Sequence, residues 1–167
     1  MYSRSKAVDY AYAWWNKRNP SFYDFDTLGG DCTNFVSQCL FYGGIEMNYN
    51  SLGWFYNSLN SRAPAWTGVD EFFAFATSNT SRLGVRAKLV DISKIMVGDV
   101  VQLRLFGEGD FHHTLLVTQI LGYNTLSDIL VTCHTYDAKD KPLGSYNIDK
   151  VRFLQIQNGA NIVKIQS

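Results

Sequence analysis

Gly29-Gly30-Asp31-Cys32-Thr33-Asn34-Phe35-Val36-Ser37-Gln38 sets a cysteine at the first turn of a predicted helix, directly after two glycines. The glycines let the chain turn sharply and keep neighbouring Cβ atoms away from the sulfur. Unpaired N–H groups at a helix start carry partial positive charge, which favours the thiolate, the form of cysteine that attacks carbonyls. Asp31 is a good N-cap type, its carboxylate accepting from an N–H two or three residues on, and it is also a candidate orienting or oxyanion member of the site. The segment reads as a displayed nucleophile. The helix continues from about Cys32 to Tyr42, where Gly43-Gly44 ends it. Phe35, Cys39 and Tyr42 share one of its faces, so Cys39 reads as packing rather than chemistry.

Working outward from that helix, residues 5–18 read as another, with Val8, Ala11 and Trp15 on one face and Asn19-Pro20 as its stop. The loop 19–30 is rich in aromatics and acids, and its Tyr23 stands as a candidate to line a cleft or help hold an oxyanion. Residues 45–68 show no clear period; they carry Trp54, Tyr56 and Trp66, read either as core or as a stacking wall for a sugar or peptide. A third helix fits 68–79, where Val69, Phe72, Phe73 and Ala76 recur at helical spacing. The second half reads as strands over about 100–105, 111–121, 128–135 and 150–156, with turns at Val97-Gly98-Asp99 and Gly107-Glu108-Gly109-Asp110. Helices first and antiparallel strands after them give an α+β layout. No linker or repeat divides the chain, so residues 1–167 are expected to form a single domain.

The bulk numbers exclude several classes of function. A chain of 167 residues with 46% hydrophobic and 18% charged residues can bury a real core. Its 15 basic and 15 acidic side chains balance, leaving no electrostatic footprint for nucleic acid or an anionic membrane. Cys32, Cys39 and Cys133 make an odd count, which argues against a closed disulfide framework. No cysteine or histidine spacing suits zinc, and neither metal nor cofactor is expected. No apolar stretch approaches the roughly 20 residues of a membrane span. Met1-Tyr2-Ser3-Arg4-Ser5 runs straight into an amphipathic pattern without a secretion signal. The expected location is cytoplasmic, with action outside the cell only after lysis or trimming from a secreted precursor.

A cysteine nucleophile needs a base, and the base needs a third group to hold its tautomer. The chain has three histidines: His112, His113 and His134. Neighbours on a strand point to opposite faces. His113 shares parity with Leu115 and Val117, the apolar side on which the Cys32 helix is expected to pack. A hairpin turning at Tyr123-Asn124 would put His113 opposite His134, free to orient it; a slip of one residue would put Cys133 there instead. Asp137, just past the strand end, is the other candidate for the orienting role.

Gly30-Asp31-Cys32-Thr33-Asn34-Phe35-Val36 resembles the Asp-Cys-Ser-Gly-Phe-Val stretch of the papain-like NlpC/P60 cell-wall hydrolases. The resemblance is closer to the bacterial putative amidase domain family within that fold. It extends over Arg4-Ser5-Lys6-Ala7-Val8-Asp9-Tyr10-Ala11, Asn19-Pro20, Gly43-Gly44, Trp54, Trp66, Gly98-Asp99-Val100-Val101-Gln102, His113-Thr114 and His134-Thr135-Tyr136-Asp137. It implies a papain-like α+β fold with N-terminal helices on an antiparallel sheet. It also implies a bacterial cysteine amidase or peptidase, with Cys32 as nucleophile, His113 as general base and acid, and His134 as the orienting third member. The substrate expected is an amide in a peptidoglycan stem peptide or fragment. Acyl transfer by the same Cys-His pair, or a binding module of this fold without turnover, are the alternatives.

Overall fold

The structure, a computed structural model, describes residues 1–159. Helix α2 (Cys32–Tyr42) lies at its centre, with every residue from Cys32 to Leu40 buried. A helix enclosed on all sides must satisfy its polar side chains internally. Asn34 Oδ1 accepts from Trp66 Nε1 at 3.0 Å, Ser37 Oγ accepts from Trp54 Nε1 at 3.1 Å, and Gln38 Oε1 accepts from the Tyr10 hydroxyl at 2.6 Å. Cys39 is fully buried in the same cluster, as its helical spacing predicts.

Helix α1 (Arg4–Trp14) packs on α2 and ends four residues short of the expected stop at position 18. The Trp14 carbonyl, which a continuing helix would spend on the N–H of Arg18, instead accepts from His134 Nε2 at 2.7 Å. The aperiodic stretch 45–68 forms a small hairpin, β1 (Tyr56–Ser58) with β2 (Ser61–Arg62), and a single helical turn α3 (Pro64–Thr67). Helix α4 (Val69–Ser78) follows, one residue inside its expected bounds at each end.

Six strands complete the fold: β3 (Ala87–Val90), β4 (Val100–Leu105), β5 (His113–Ile120), β6 (Ile129–Cys133), β7 (Ala138–Pro142) and β8 (Ile148–Ile156). They form one sheet in the order β3-β8-β4-β5-β6-β7, each neighbour antiparallel. The architecture is mixed α+β with helices laid on an antiparallel sheet. The edge strands β3 and β7 read Ala-Lys-Leu-Val and Ala-Lys-Asp-Lys-Pro. Lysine and proline blunt an edge against further pairing, and they also erase the apolar alternation by which a strand is recognised.

Both faces of the sheet are buried. Val100, Leu116, Leu154 and Ile156 pack with the helices, whereas Val101, Leu103, Leu115, Val117, Val131 and Cys133 pack with Ile95 and Leu143 on the other side. This corrects the expectation that α2 lies on the side of Leu115 and Val117. It lies on the side of Thr114 and Leu116, with the Thr33 and Thr114 hydroxyls 2.8 Å apart. The hairpin register also differs by one residue from the expected one: Leu116 pairs with Thr132 and Val117 with Val131, before a bulge near Thr118. A one-residue slip exchanges faces. Cys133 therefore takes the face of Leu115, and His134 turns toward the helices, where its ring stacks on Phe35 with centroids 3.9 Å apart. Among the described residues no helix is long and apolar enough to cross a membrane.

Candidate functional site

Gly29 and Gly30 both have positive φ, +86° and +95°, and deliver the chain to the start of α2 at an angle that other residue types adopt only under strain. A cleft of about 250 Å³ opens in front of them, lined by Gly29, Gly30, Cys32, Asp70, Asp110 and His112 among others. Cys32 is the first helical residue, so its N–H has no acceptor within α2 and remains available to a ligand.

Cys32 itself is only 5% exposed. Sγ donates to the His112 carbonyl at 3.6 Å and lies 3.9 Å from the Thr33 hydroxyl. Burial pushes the thiol above the ordinary cysteine range, against the pull of the Thr114 N–H, the Thr33 hydroxyl and the Thr33 N–H, and a negative Asp31 adds to the rise. The expectation of an uncovered sulfur held as thiolate by the helix start is therefore corrected. Desolvation outweighs the helix terminus, and the resting group is a neutral thiol.

Its contact with the His112 carbonyl sets the sulfur against the peptide that leads into His113. His113 begins β5 with the parity of Leu115, the face away from α2, so the parity that favoured it over His112 is lost; it is nearly buried, and its Nε2 lies 2.9 Å from Glu108 Oε1. The Cys133 thiol is pushed up to about 11, chiefly by burial and against the pull of the Tyr146 hydroxyl. His112 is exposed and lines the cleft beside Cys32.

His134 does not meet His113. Its Nδ1 lies 2.5 Å from Asp31 Oδ2, and its Nε2 donates to the Trp14 carbonyl. Both ring nitrogens face oxygen atoms, so neither is left to orient a second histidine. Asp31 in turn makes no side-chain cap on α2, which corrects its reading as an N-cap. Its Oδ1 accepts from the Phe25 N–H and from Asn34 Nδ2, each at 2.9 Å. The Asp31 N–H donates to Thr135 Oγ1 at 2.9 Å, and Thr135 and Tyr136 hold the left-handed φ values +57° and +60°. A β-branched residue in that region is strained. The strained turn after His134 thus clamps the residue that precedes the nucleophile.

Asp137 is bound elsewhere, its two oxygens 3.1 and 2.9 Å from the Arg18 guanidinium. Arg18 also pairs with Asp26 at 2.7 Å and lies 3.7 Å from both Asp24 and Asp31. The carboxylates of Asp24, Asp26 and Asp31 converge closely enough to suggest a cation site, and the Arg18 guanidinium already supplies their positive charge.

Trp54 and Trp66 are fully buried and Tyr56 nearly so, all in the core around α2. They do not form an exposed stacking wall. Tyr23 is 40% exposed; its N–H donates to the Tyr56 hydroxyl, its carbonyl accepts from Asn34 Nδ2, and it does not line the Cys32 cleft. Glu108 escaped the sequence reading. It sits in a Gly-Glu-Gly-Asp turn whose composition explains itself as a turn, and the one available signal was a carboxylate five residues before a strand-initial histidine.

No solved structure matches the chain. Among curated proteins it is similar to "Uncharacterized protein YhbB" of Bacillus subtilis (strain 168), 34% identical over 143 residues. That alignment covers 83% of this chain and 43% of the relative, so the chain spans less than half the relative's length. The family described as "Putative amidase domain" matches residues 1–156. With nearly its whole length matched, the chain belongs to the putative amidase domain family.

Proposed function

We propose that this domain is a cysteine amidase of papain-like, NlpC/P60-related type, with Cys32 as nucleophile and His113 as general base and acid. The observation that carries the reading is the placement of Cys32: first residue of a buried helix, at the edge of an open cleft, its sulfur 3.6 Å from the carbonyl that leads into His113. Membership of an amidase family supports the reaction class.

In this reading the substrate carbonyl enters the cleft over Gly29 and Gly30. The Cys32 sulfur bonds to its carbon as the S–H proton passes to His113, because a neutral thiol needs a base at the moment of attack. The oxyanion that forms lies within reach of the Cys32 N–H. Collapse breaks the C–N bond, and the amine leaves with the proton from His113. Water then attacks the thioester, giving its proton to His113 and releasing the acid and the free thiol. The substrate proposed is an amide bond of a peptidoglycan stem peptide.

Burial of the thiol favours one rival, a peptide-binding module of the same fold without turnover. Rapid acid quench of the protein with muropeptides, followed by intact-mass and peptide analysis, separates the two. A thioester on Cys32 that forms and decays as new amine appears supports the amidase; binding with neither adduct nor amine supports the module.

A further inference from the structure

Glu108 lies in the hairpin between β4 and β5, and both of its carboxylate oxygens are occupied. Oε2 accepts from the Leu105 N–H at 2.9 Å, and Oε1 lies 2.9 Å from His113 Nε2. The backbone bond closes the turn back on the strand it leaves, so the carboxylate is fixed before it meets the ring. The Glu108 N–H adds a second tie, donating to the Leu105 carbonyl at 3.1 Å. The pair is partly shielded, with side-chain exposures of 11% for His113 and 26% for Glu108. The other titratable group facing the carboxylate is His112.

We propose that Glu108 is the positioning residue of the general base, a role the sequence reading gave to His134 or Asp137; the proposal rests on Cys32 and His113 being the reacting pair. An ionised carboxylate only accepts, so a neutral His113 ring facing it carries its proton on Nε2. Nδ1 is then the ring's one basic atom. The thiol proton moves from Sγ to Nδ1 as the S–C bond forms, and the imidazolium produced is already paired with Glu108 through Nε2–H. The same proton leaves Nδ1 for the departing amine. A carboxylate that holds one tautomer and pairs the cation does for His113 what an acidic third member does in other nucleophile-base pairs.

Glu108→Gln makes the prediction sharp because it keeps the side chain's size. Its single carbonyl oxygen can serve the Leu105 N–H, which leaves the amide N–H₂ facing His113 Nε2. The ring must then accept through Nε2 and carry its proton on Nδ1, the atom that should take the thiol proton. The nitrogen chemical shifts of His113, read by long-range ¹⁵N–¹H spectroscopy of the whole chain above its titration, report the tautomer directly. Acetylation of Cys32 by p-nitrophenyl acetate, followed by mass, reports the base. The expected result is an Nε2–H ring in the starting protein, loss of that preference in Glu108→Gln, and slower acetylation by on the order of 10²-fold. Glu108→Gln added to His113→Ala should cost nothing further, whereas a purely structural turn residue would cost the same in either background.

An unchanged tautomer in Glu108→Gln, or additive losses in the double variant, overturns the proposal for Glu108. Failure of His113→Ala to slow acetylation removes the base assignment instead, and the tautomer measurement keeps the two failures distinct. Should Glu108→Gln unfold, Glu108→Asp, which retains an acceptor for the ring, should restore the Nε2–H tautomer; a folded Glu108→Asp without that preference also overturns the proposal.

Discussion

His134 Nδ1 lies 2.5 Å from Asp31 Oδ2, which ties the end of β6 to the residue immediately before Cys32. With Nε2 on the Trp14 carbonyl and the ring stacked on Phe35, His134 joins α1, α2 and the sheet at one point.

Removing one partner of such a pair strands the other. His134→Ala leaves the fully buried Asp31 carboxylate without its nearest side-chain partner, and the cost expected is about 3 kcal/mol. For a chain of this size that lowers the melting temperature by roughly 10 °C. A thermal melt checks it. A variant that melts normally yet has lost turnover would return His134 to the catalytic role that the family resemblance gives it.

The Cys32 thiol is raised by burial, so it stays protonated over a wider pH range than an ordinary cysteine. Its alkylation by iodoacetamide should be slow at pH 7 and still climbing above about pH 8.5, where a free cysteine is half ionised. Peptide mapping by mass spectrometry after timed alkylation gives the profile site by site. A midpoint below that of free cysteine would mean that the helix start outweighs desolvation after all.

Glu108 answers to pH in the opposite sense. Burial pushes its carboxyl up, but the Leu105 N–H, the His113 bond and the charges of His113 and His112 hold it below the ordinary glutamate range. A depressed carboxyl contributes stability above its unfolded value near 4.3 and loses it as pH falls through the folded value. The stability difference between the starting protein and Glu108→Gln should therefore be present at pH 5 and shrink as pH falls below about 4.3. Urea melts between about pH 5 and 3 read it, and a difference that grows as pH falls through that window would contradict a carboxyl held below the ordinary glutamate range.

Trp66 separates core from cleft. Its indole donates to Asn34 in the middle of α2 and is fully buried. Trp66→Ala should cost about 3–5 kcal/mol, as large aromatic truncations in cores do. A stacking platform for substrate would instead raise KM and leave the melt unchanged.

Helix α2 was legible in the sequence to the residue, because helical spacing and the Gly43-Gly44 stop coincide there. β4 was legible for the same kind of reason, as were the middle parts of β5, β6 and β8. β3 and β7 were not, since edge strands carry lysines where a core strand carries apolar residues. The site was harder to read than the fold. Its geometry depends on which face of β5 receives the helix, and with both faces apolar the parity of Leu115 and Val117 could not decide that. The hairpin register depended on a turn whose length is set by a 3-10 turn at Leu126–Asp128 and a bulge near Thr118, neither of which has an apolar pattern. That one-residue difference moved His134 from His113 to Asp31. It also left the orienting place to Glu108, a turn residue invisible to periodicity.

The proposed mechanism requires the Cys32 sulfur to break an amide bond. Purified peptidoglycan should be digested in parallel with the starting protein and with Cys32→Ala, whose melt should be unchanged because a small side chain is being truncated. New amine termini are then counted by mass spectrometry. The expected outcome is new termini with the starting protein and none with Cys32→Ala; equal release by the two proteins would contradict it.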